Sequence, residues 1–251
     1  MEKLTAIIPT FNEEHNIIEA IKSVDFADEI IGADSLSTDK TIELAKPHVN
    51  KIIQRKYENS ASQKNWAIPQ AQHKWILILD ADERVPEDLK IEIQNTLKSK
   101  PEESGFWIGR TNYFMNKRIR FSGWRGDRVI RLFKRDECKY EKLNVHAEII
   151  SERTIGSLKQ KLIHNTFVSG EDFQKKLDRY AKWQAKDYDS KTGTITFYHT
   201  HLKPAIRFLK HFIFQLGFID GKVGFIISKY QANAVKMRYQ YLMELRKNRE
   251  K

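Results

Sequence analysis

Hydrophobic and polar positions in the first hundred residues follow two alternating patterns. Short continuous apolar runs predict buried strands, and apolar residues spaced by three and four positions predict helices between them. The predicted strands are residues 4–8, 29–33, 51–54 and 75–79. The predicted helices are residues 13–24, 38–45, 62–71 and 86–97. Because these strands are too apolar to be half exposed, we expect an α/β fold with a mostly parallel sheet covered on both faces.

The pattern changes after residue 100. Four segments look like further strands that extend the sheet, at residues 105–114, 118–121, 128–134 and 146–151. Three helical segments follow, at residues 170–191, 203–217 and 223–247. The chain therefore predicts a sheet domain followed by a helical C-terminal region.

Polar clusters follow three of the predicted parallel strands. They lie at residues 10–14, 34–39 and 80–83, with Pro9 expected to end the first strand. In open α/β sheets, ligands bind beyond the carboxyl ends of the strands. We therefore expect these clusters to border one binding site.

Composition limits the class of protein. The chain has 251 residues, 40% hydrophobic and 31% charged, which excludes collagen-like and wholly disordered chains. Its single cysteine, Cys138, excludes an intramolecular disulfide framework and a multi-cysteine metal site. No basic start leads into an apolar run, and no stretch reaches the about 18 apolar residues of a spanning helix, so we expect a cytoplasmic protein.

The net charge of +11 is unevenly distributed. Residues 1–100 contain 13 Lys and Arg against 17 Asp and Glu, a net charge of −4, whereas residues 101–251 contain 31 against 16, a net charge of +15. The basic half indicates an anionic partner, such as nucleic acid, a membrane surface or a phosphorylated substrate, or else a solvated basic face. The acidic half disfavours nucleic acid and is able to hold a divalent metal.

The sequence DADE at residues 80–83 directly follows the apolar run WILIL. Two carboxylates separated by one residue, Asp80 and Asp82, can turn toward the same pocket where the chain leaves a strand. Such oxygen ligands suit Mg²⁺ or Mn²⁺ held partly by phosphate oxygens. The alternative is an acidic turn at the start of the helix that Pro86 begins.

Four motifs in this order resemble glycosyltransferase family 2, the inverting enzymes of the GT-A fold. They are IIPTFNEE at residues 7–14, ADSLSTDKT at 33–41, QKN at 63–65 and DADE at 80–83. Further similarity in GWRGDRVIRLFKR at 123–135, His146, His164 and residues 207–225 resembles the subfamily that adds glucose or a similar hexose to the lipopolysaccharide inner core. This resemblance covers nearly the whole chain.

The resemblance assigns residues to the donor site. Pro9, Thr10 and Glu13 would line the nucleotide pocket, Asp34 would contact the base, usually uracil, and Lys64 would lie near the diphosphate. Asp80 and Asp82 would form the metal motif, with Asp82 the direct ligand. Three of these residues also have a structural alternative. Glu13 would favour a helix N-terminus, Asp34 would be a turn residue, and Lys64 would lie on a solvated helix face.

The resemblance also suggests a catalytic base. Inverting transfer needs a group that takes the proton of the acceptor hydroxyl. Asp127 in GWRGD occupies the position of an acid in the subfamily motif GWYPD, and His146 and His164 are the rivals. The neighbouring Arg125, Arg128 and Arg131 would weaken Asp127 as a base if close, but they suit an anionic acceptor.

The chain departs from the family motif SGSTDGT, because Leu36 and Lys40 replace two glycines. Glycine tolerates positive φ, whereas leucine does not do so without cost. Either the loop differs in shape or the family glycine does not need a positive φ. The departure from the motif bears on which base and sugar the donor carries more than on the class of reaction that the resemblance implies.

Residues 201–251 contain 11 Lys and Arg against 3 Asp and Glu, together with many Phe, Leu and Ile residues. Apolar bulk flanked by Lys and Arg is typical of interfacial helices. We therefore expect this segment to dock on an anionic membrane surface, at the cytoplasmic face of the inner membrane. The alternative is that it packs on the catalytic domain as ordinary core.

These observations predict a metal-dependent inverting transferase that moves a hexose from a nucleotide sugar, with UDP expected, to a lipid-linked or phosphorylated glycan, with no nucleic-acid partner. Residues 1–200 would form the GT-A domain, with 1–100 binding the donor and 101–200 the acceptor, and 201–251 a C-terminal extension. One alternative is a nucleotidyltransferase, although PTFNEE lacks the Gly-rich basic loop expected there. The other is a non-catalytic basic binding protein.

Overall fold

A computed structural model describes residues 2–141, 148–167 and 170–249. The chain forms two compact units. The first comprises Met1–Thr111 and Gly126–His164, and the second comprises Asn112–Arg125 and Asn165–Lys251. The predicted functional division at residues 100 and 200 stays a prediction.

Four parallel strands form one half of the sheet in the first unit. They are β1 (Leu4–Thr10), β2 (Glu29–Asp34), β3 (Lys51–Gln54) and β4 (Trp75–Ile78). Strand β1 pairs with β2 on one side and with β4 on the other, and β2 pairs with β3. Strands β2 and β4 are buried along their full length, as their continuous apolar runs predict. Strand β1 continues through Pro9 to Thr10, because the φ of proline is compatible with an extended strand.

Helices cover this half of the sheet on both faces. They are α1 (Ile17–Lys22), α2 (Thr41–Ala45), α3 (Ser60–Ala67) and α4 (Glu87–Lys98). Ala6 and Ile8 of β1 pack in one hydrophobic cluster with residues of α1 and α4, whereas Ile7 packs in a second cluster with residues of α3. This alternation is the period of two that a strand gives to its side chains. The predicted α/β fold class is confirmed.

Antiparallel strands continue the sheet beyond β4. The remaining strands are β5 (Glu83–Arg84), β6 (Gly105–Phe114), β7 (Lys117–Arg118), β8 (Arg128–Lys134), β9 (Cys138–Tyr140), β10 (Ile149–Ser151) and β11 (Ile155–Phe167). The strand order is β3-β2-β1-β4-β8-β6-β11-β5, with β7 pairing with β6, and β9 and β10 form a separate pair. The expectation that the segments after residue 100 extend the sheet is therefore confirmed for β6 and β8.

The second unit is mainly helical. Its helices are α5 (Gly170–Asp189), α6 (Lys203–Leu209) and α7 (Gly221–Lys247), and π-helical turns at Tyr198–Leu202 and Lys210–Phe214 flank α6. Phe114, Phe173 and Ile227 belong to its main buried cluster. Among the described residues, no helix combines the length and the apolar character needed to cross a bilayer.

Candidate active site

The loops that follow β1 and β2 are hydrogen-bonded to each other. Thr10 lies opposite Asp34 in the parallel register. Beyond them, the Asn12 amide donates to Ser37 Oγ at 2.9 Å, and the Thr38 amide donates to Asn12 Oδ1 at 2.8 Å. The first two polar clusters predicted from the sequence are therefore brought together beyond the carboxyl ends of their strands.

Three residues of the predicted nucleotide pocket lie at this edge of the sheet. Pro9 pairs with Ala33 in the strand register. The Thr10 hydroxyl is buried, and in the described part of the chain it has no hydrogen-bond partner. The Glu13 carboxylate accepts from Asn16 Nδ2 at 2.8 Å, just before α1 begins. Their contact with a nucleotide stays a prediction.

Asp34 is fully buried at the end of β2. Its carboxylate accepts from the Ser37 amide at 3.0 Å, from Ser37 Oγ at 2.5 Å and from Gln54 Nε2 at 3.0 Å. These bonds hold the turn after β2 in place and fix the carboxylate. Base recognition by Asp34 stays a prediction.

Leu36 adopts a left-handed backbone conformation within this turn, with φ of +65°. Its side chain is 48% exposed, so packing does not compensate for the conformation. The position at which the family has glycine therefore does use a positive φ. In this turn, leucine bears the steric cost that glycine would avoid.

Asp80 lies between two cations. Lys64 Nζ is 2.9 Å from Asp80 Oδ1, and Arg131 Nη2 donates to Asp80 Oδ2. Burial alone would raise the pKa of Asp80, but the charges of Arg131 and Lys64 hold that pKa far below its ordinary value. Lys64 itself is buried, with its ammonium over the Tyr140 ring, and so is not on a solvated helix face.

The network continues from Arg131 to Asp127. Glu83 is fully buried, 2.8 Å from Arg131 Nη2 and 3.3 Å from Arg110 Nη1. Arg110 then forms two hydrogen bonds to Asp127, at 2.9 Å from Nε and 2.8 Å from Nη2. We call this set the ion-pair chain, which comprises in order Lys64, Asp80, Arg131, Glu83, Arg110 and Asp127. Cations and carboxylates alternate along it without a gap.

The two arginines of the ion-pair chain are firmly charged. Burial opposes the charge of Arg110, but its hydrogen bonds to Asp127 raise its pKa above the ordinary value. For Arg131, burial is likewise outweighed by the charges of Asp80 and Glu83, so its pKa is raised well above the ordinary value. Each buried charge is therefore compensated by neighbours of opposite sign.

The arginine that contacts Asp127 is not one of its neighbours in sequence. Arg128 instead stacks over the Trp107 ring, at 4.7 Å from its centroid, and Arg131 binds Asp80. Arg110 reaches Asp127 from β6, whose residue Gly109 pairs with Arg128 of β8. Sequence reasoning missed Arg110, although aligning the two correctly predicted strands would have placed it there.

Asp82 and His164 lie next to each other, with Asp82 Oδ2 3.5 Å from His164 Nε2. Strand pairing accounts for this, because His164 of β11 lies opposite Glu83 of β5. His146, the other rival base, lies outside the described residues. Among the residues that the structure describes, no group of three His, Cys, Asp or Glu side chains could hold a metal by itself.

This donor set fits a metal that completes its coordination with substrate and water. Mg²⁺ typically takes one or two carboxylates and fills its other positions with phosphate oxygens and water. Asp82 offers a carboxylate beside an imidazole, whereas both oxygens of Asp80 are already in ion pairs. Asp82 therefore fits a metal better than Asp80 does.

Comparison with known proteins identifies the family of the chain. Residues 5–155 match the model of Glycosyl transferase family 2. The chain is 26% identical to the lipopolysaccharide core biosynthesis glycosyltransferase LpsC of Rhizobium meliloti, over 94% of both chains. It is also 26% identical to an uncharacterized glycosyltransferase of Rickettsia typhi, over 98% of this chain and 88% of the relative.

A structural comparison pairs the chain with S. aureus TarS residues 1–349 in complex with UDP, at 15% identity and a TM-score of 0.46 over 98% of this chain and 92% of that one. The family match, in contrast, extends over more than half of the present chain and includes the loops after β1, β2 and β4. The chain belongs to glycosyltransferase family 2, and the protein is a glycosyltransferase.

Proposed function

We propose that the protein transfers a hexose, with glucose as the first candidate, from a UDP-linked donor to a lipid-linked glycan such as lipopolysaccharide core, with inversion at the anomeric carbon. Family membership supports glycosyl transfer, and the name of the R. meliloti relative supports the acceptor class. The main observation in support of the proposal is the ion-pair chain. It links Lys64 and Asp80, which the resemblance assigns to the donor, to Asp127, which it assigns to the acceptor.

The donor diphosphate needs positive charge in a site that is largely shielded from water. Lys64 and Arg131 are both buried, and both are bound to Asp80. Asp80 offsets part of their charge and fixes their positions, so that little reorganisation is needed when an anion arrives. In this proposal Asp80 is a positioning residue, while Lys64 meets the diphosphate.

A divalent metal would be held by Asp82 and His164 together with the donor phosphates. When bound, it would supply positive charge to the departing nucleoside diphosphate. The imidazole of His164 would then be a ligand, which removes it as a rival for the catalytic base. Mg²⁺ and Mn²⁺ both fit an oxygen-rich site of this kind.

Asp127 acts as the general base. The acceptor hydroxyl oxygen forms a bond to the anomeric carbon as the bond from that carbon to the diphosphate oxygen breaks. The hydroxyl proton passes to Asp127, and the nucleoside diphosphate leaves with the electron pair. Arg110 holds the Asp127 carboxylate in one orientation through two hydrogen bonds, at some cost in basicity.

Nucleotide binding to the purified protein tests this proposal. Calorimetric titration with UDP, GDP, CDP and ADP, each with and without Mn²⁺, should show metal-dependent binding that favours UDP. Asp82→Ala should remove the metal dependence and abolish donor turnover, because it deletes the carboxylate that would hold the metal. Full activity in Asp82→Ala would exclude the proposed metal site.

The matched control is Asp88→Ala, which removes an exposed carboxylate from the first turn of α4. It should leave both nucleotide binding and turnover unchanged. If no nucleotide binds the wild-type protein, or if all four bind equally, the UDP-linked donor is wrong.

A further inference from the structure

An apolar stripe runs along the exposed side of the helical segment around α6. Its members are spaced by four, four, three and four residues and so share one helix face. They are Tyr198 at 45% exposed, Leu202 at 48%, Ile206 at 55%, Leu209 at 48% and Ile213 at 46%. Phe214 continues the stripe and is 80% exposed. Large apolar side chains on such a regular face indicate a partner that covers them.

Exposed apolar side chains are concentrated in this part of the chain. Ten of the seventeen large exposed hydrophobic residues in the described ranges lie between positions 197 and 225. Single exposed hydrophobic residues are normal on a soluble protein, but concentrated ones mark interaction surfaces. The remaining seven are spread over the rest of the described chain.

The stripe is not needed for the interior of the second unit. The inner side of the same segment is held separately, by buried His211 and by Lys203, whose ammonium donates to Tyr239 Oη at 2.8 Å. Phe208 and Phe212 pack their rings on Phe225, with centroids 5.6 and 5.8 Å away. The stripe therefore lies outside an already packed layer.

Nearly all charged residues of this segment, positions 197–230, are basic. Lys203, Arg207, Lys210, Lys222 and Lys229 are the charged residues between positions 197 and 230 apart from one acid. That acid, Asp220, is buried and accepts from the Arg120 and Phe121 amides and from Ser122 Oγ. The segment thus combines exposed apolar side chains with the exposed lysines Lys210, Lys222 and Lys229.

These features favour one class of binding partner for the stripe. A second copy of the chain would bring a second set of lysines against the first, and nucleic acid would leave the apolar side chains uncovered. An anionic bilayer complements both, because the interface takes up apolar side chains and anionic headgroups attract flanking Lys and Arg. We propose that the apolar stripe, with Lys210 and Lys222 beside it, is a docking surface for an anionic lipid membrane.

Vesicle flotation with the full-length protein tests this directly. The probes are vesicles of phosphatidylcholine alone and vesicles that also contain phosphatidylglycerol. Wild-type protein should float with the second kind and much less with the first. The variant Ile206→Gln/Phe214→Gln should lose about tenfold or more of its partitioning, because two inserted side chains become polar. The variant Lys210→Gln/Lys222→Gln should lose about tenfold, chiefly on anionic vesicles.

The matched control is Ile91→Gln/Met243→Gln, which changes two apolar residues of similar exposure that are not part of the stripe. It should float as the wild type does. Unchanged UDP binding and melting temperature show that each variant is folded, and they separate this proposal from the transferase proposal.

Two results would overturn the proposal. One is that the wild-type protein does not bind anionic vesicles, or that the stripe variant and the lysine variant bind them as well as the wild type does. The other is a dimer in light scattering that dissociates in Ile206→Gln/Phe214→Gln, since a second copy would then be the occupant.

Discussion

Leu36 occupies a position at which the family motif has glycine. The sequence left open whether the loop differs in shape or whether the family glycine does not need a positive φ. The structure gives Leu36 a φ of +65°, so leucine occupies a conformation that suits glycine. The hydrogen bonds from Ser37 to Asp34 and from Asn12 to the Ser37 region hold the loop in that shape.

Replacing Leu36 should therefore reveal the cost of the left-handed conformation. We expect Leu36→Gly to be more stable than Leu36→Ala by about 1 kcal/mol, because alanine keeps the steric penalty and glycine does not. Urea unfolding of the two variants measures the difference. Equal stability, or a more stable alanine variant, would contradict the assignment of strain to this residue.

Burial and two cationic neighbours tie the ionisation of Asp80 to folding. Its folded-state pKa lies far below the ordinary value of about 3.9. A carboxylate with a lowered pKa contributes stability above the unfolded value, and that contribution is lost as the pH falls toward the folded value. The loss should begin near pH 4 and continue at lower pH.

Asp80→Asn should accordingly be less stable than wild type at neutral pH, by about 3 kcal/mol, since Lys64 and Arg131 lose a shared partner. The difference between the two proteins should narrow as the pH falls below about 4. Unfolding curves at several pH values measure it. A difference that stays constant over that range would show that the charge of Asp80 does not stabilise the fold.

At the scale of elements, the ion-pair chain connects strands that are distant in sequence. Glu83 is on β5, Arg110 on β6 and Arg131 on β8. The Glu83 carboxylate is fully buried between the two guanidinium groups. Removing one partner of a buried pair leaves an uncompensated charge, which costs more than an exposed pair contributes.

Glu83→Gln should thus destabilise the protein by about 3 kcal/mol or more, measured as the free energy of unfolding in urea. Glu87→Gln is the matched control, since Glu87 is exposed and lies 3.9 Å from Lys90. It should change stability by less than about 0.5 kcal/mol. Similar effects of the two substitutions would mean that the buried charges are not coupled through Glu83.

Strands with clear apolar and β-branched runs were predictable from sequence, and a strand whose apolar residues are interrupted was not. Strands β6 and β8 have the bounds that their apolar and β-branched residues predicted. The thirteen-residue β11 was missed, because lysines, a glycine and a glutamine interrupt its apolar residues. Because β11 was not predicted, the proximity of His164 to Asp82 was not predicted either.

The sequence predicted the motif residues of the candidate site but not all of the residues that contact them. The sequence placed Asp34, Asp80 and Asp82 at strand ends, and it placed Asp127 in a basic surrounding. It did not identify Arg110 or the role of Glu83, because their contacts depend on the pairing of β6 with β8 and of β5 with β11. Pairing between distant strands is set by tertiary packing, which local patterns do not encode.

At the scale of the whole molecule, the uneven charge has a structural counterpart. The acidic first hundred residues supply Asp80 and Glu83 to the ion-pair chain, and the basic remainder supplies Arg110 and Arg131. Each set compensates charges of the other within the ion-pair chain. The surplus positive charge in the helical second unit belongs to a separate surface, which we propose docks on a membrane.

We propose that Asp127 acts as the base in an inverting transfer and that the donor half of the site does not depend on it. The most direct measurement compares wild type, Asp127→Asn and Asp136→Asn for UDP affinity and for sugar transfer. Asp136 is the control, because it is an exposed aspartate paired with Arg135.

We expect Asp127→Asn to bind UDP as tightly as wild type and to lose about 10³-fold in transfer, while Asp136→Asn behaves as wild type in both. If Asp127→Asn binds UDP normally and loses less than about tenfold in sugar transfer, Asp127 is not the base, and another group must take the proton.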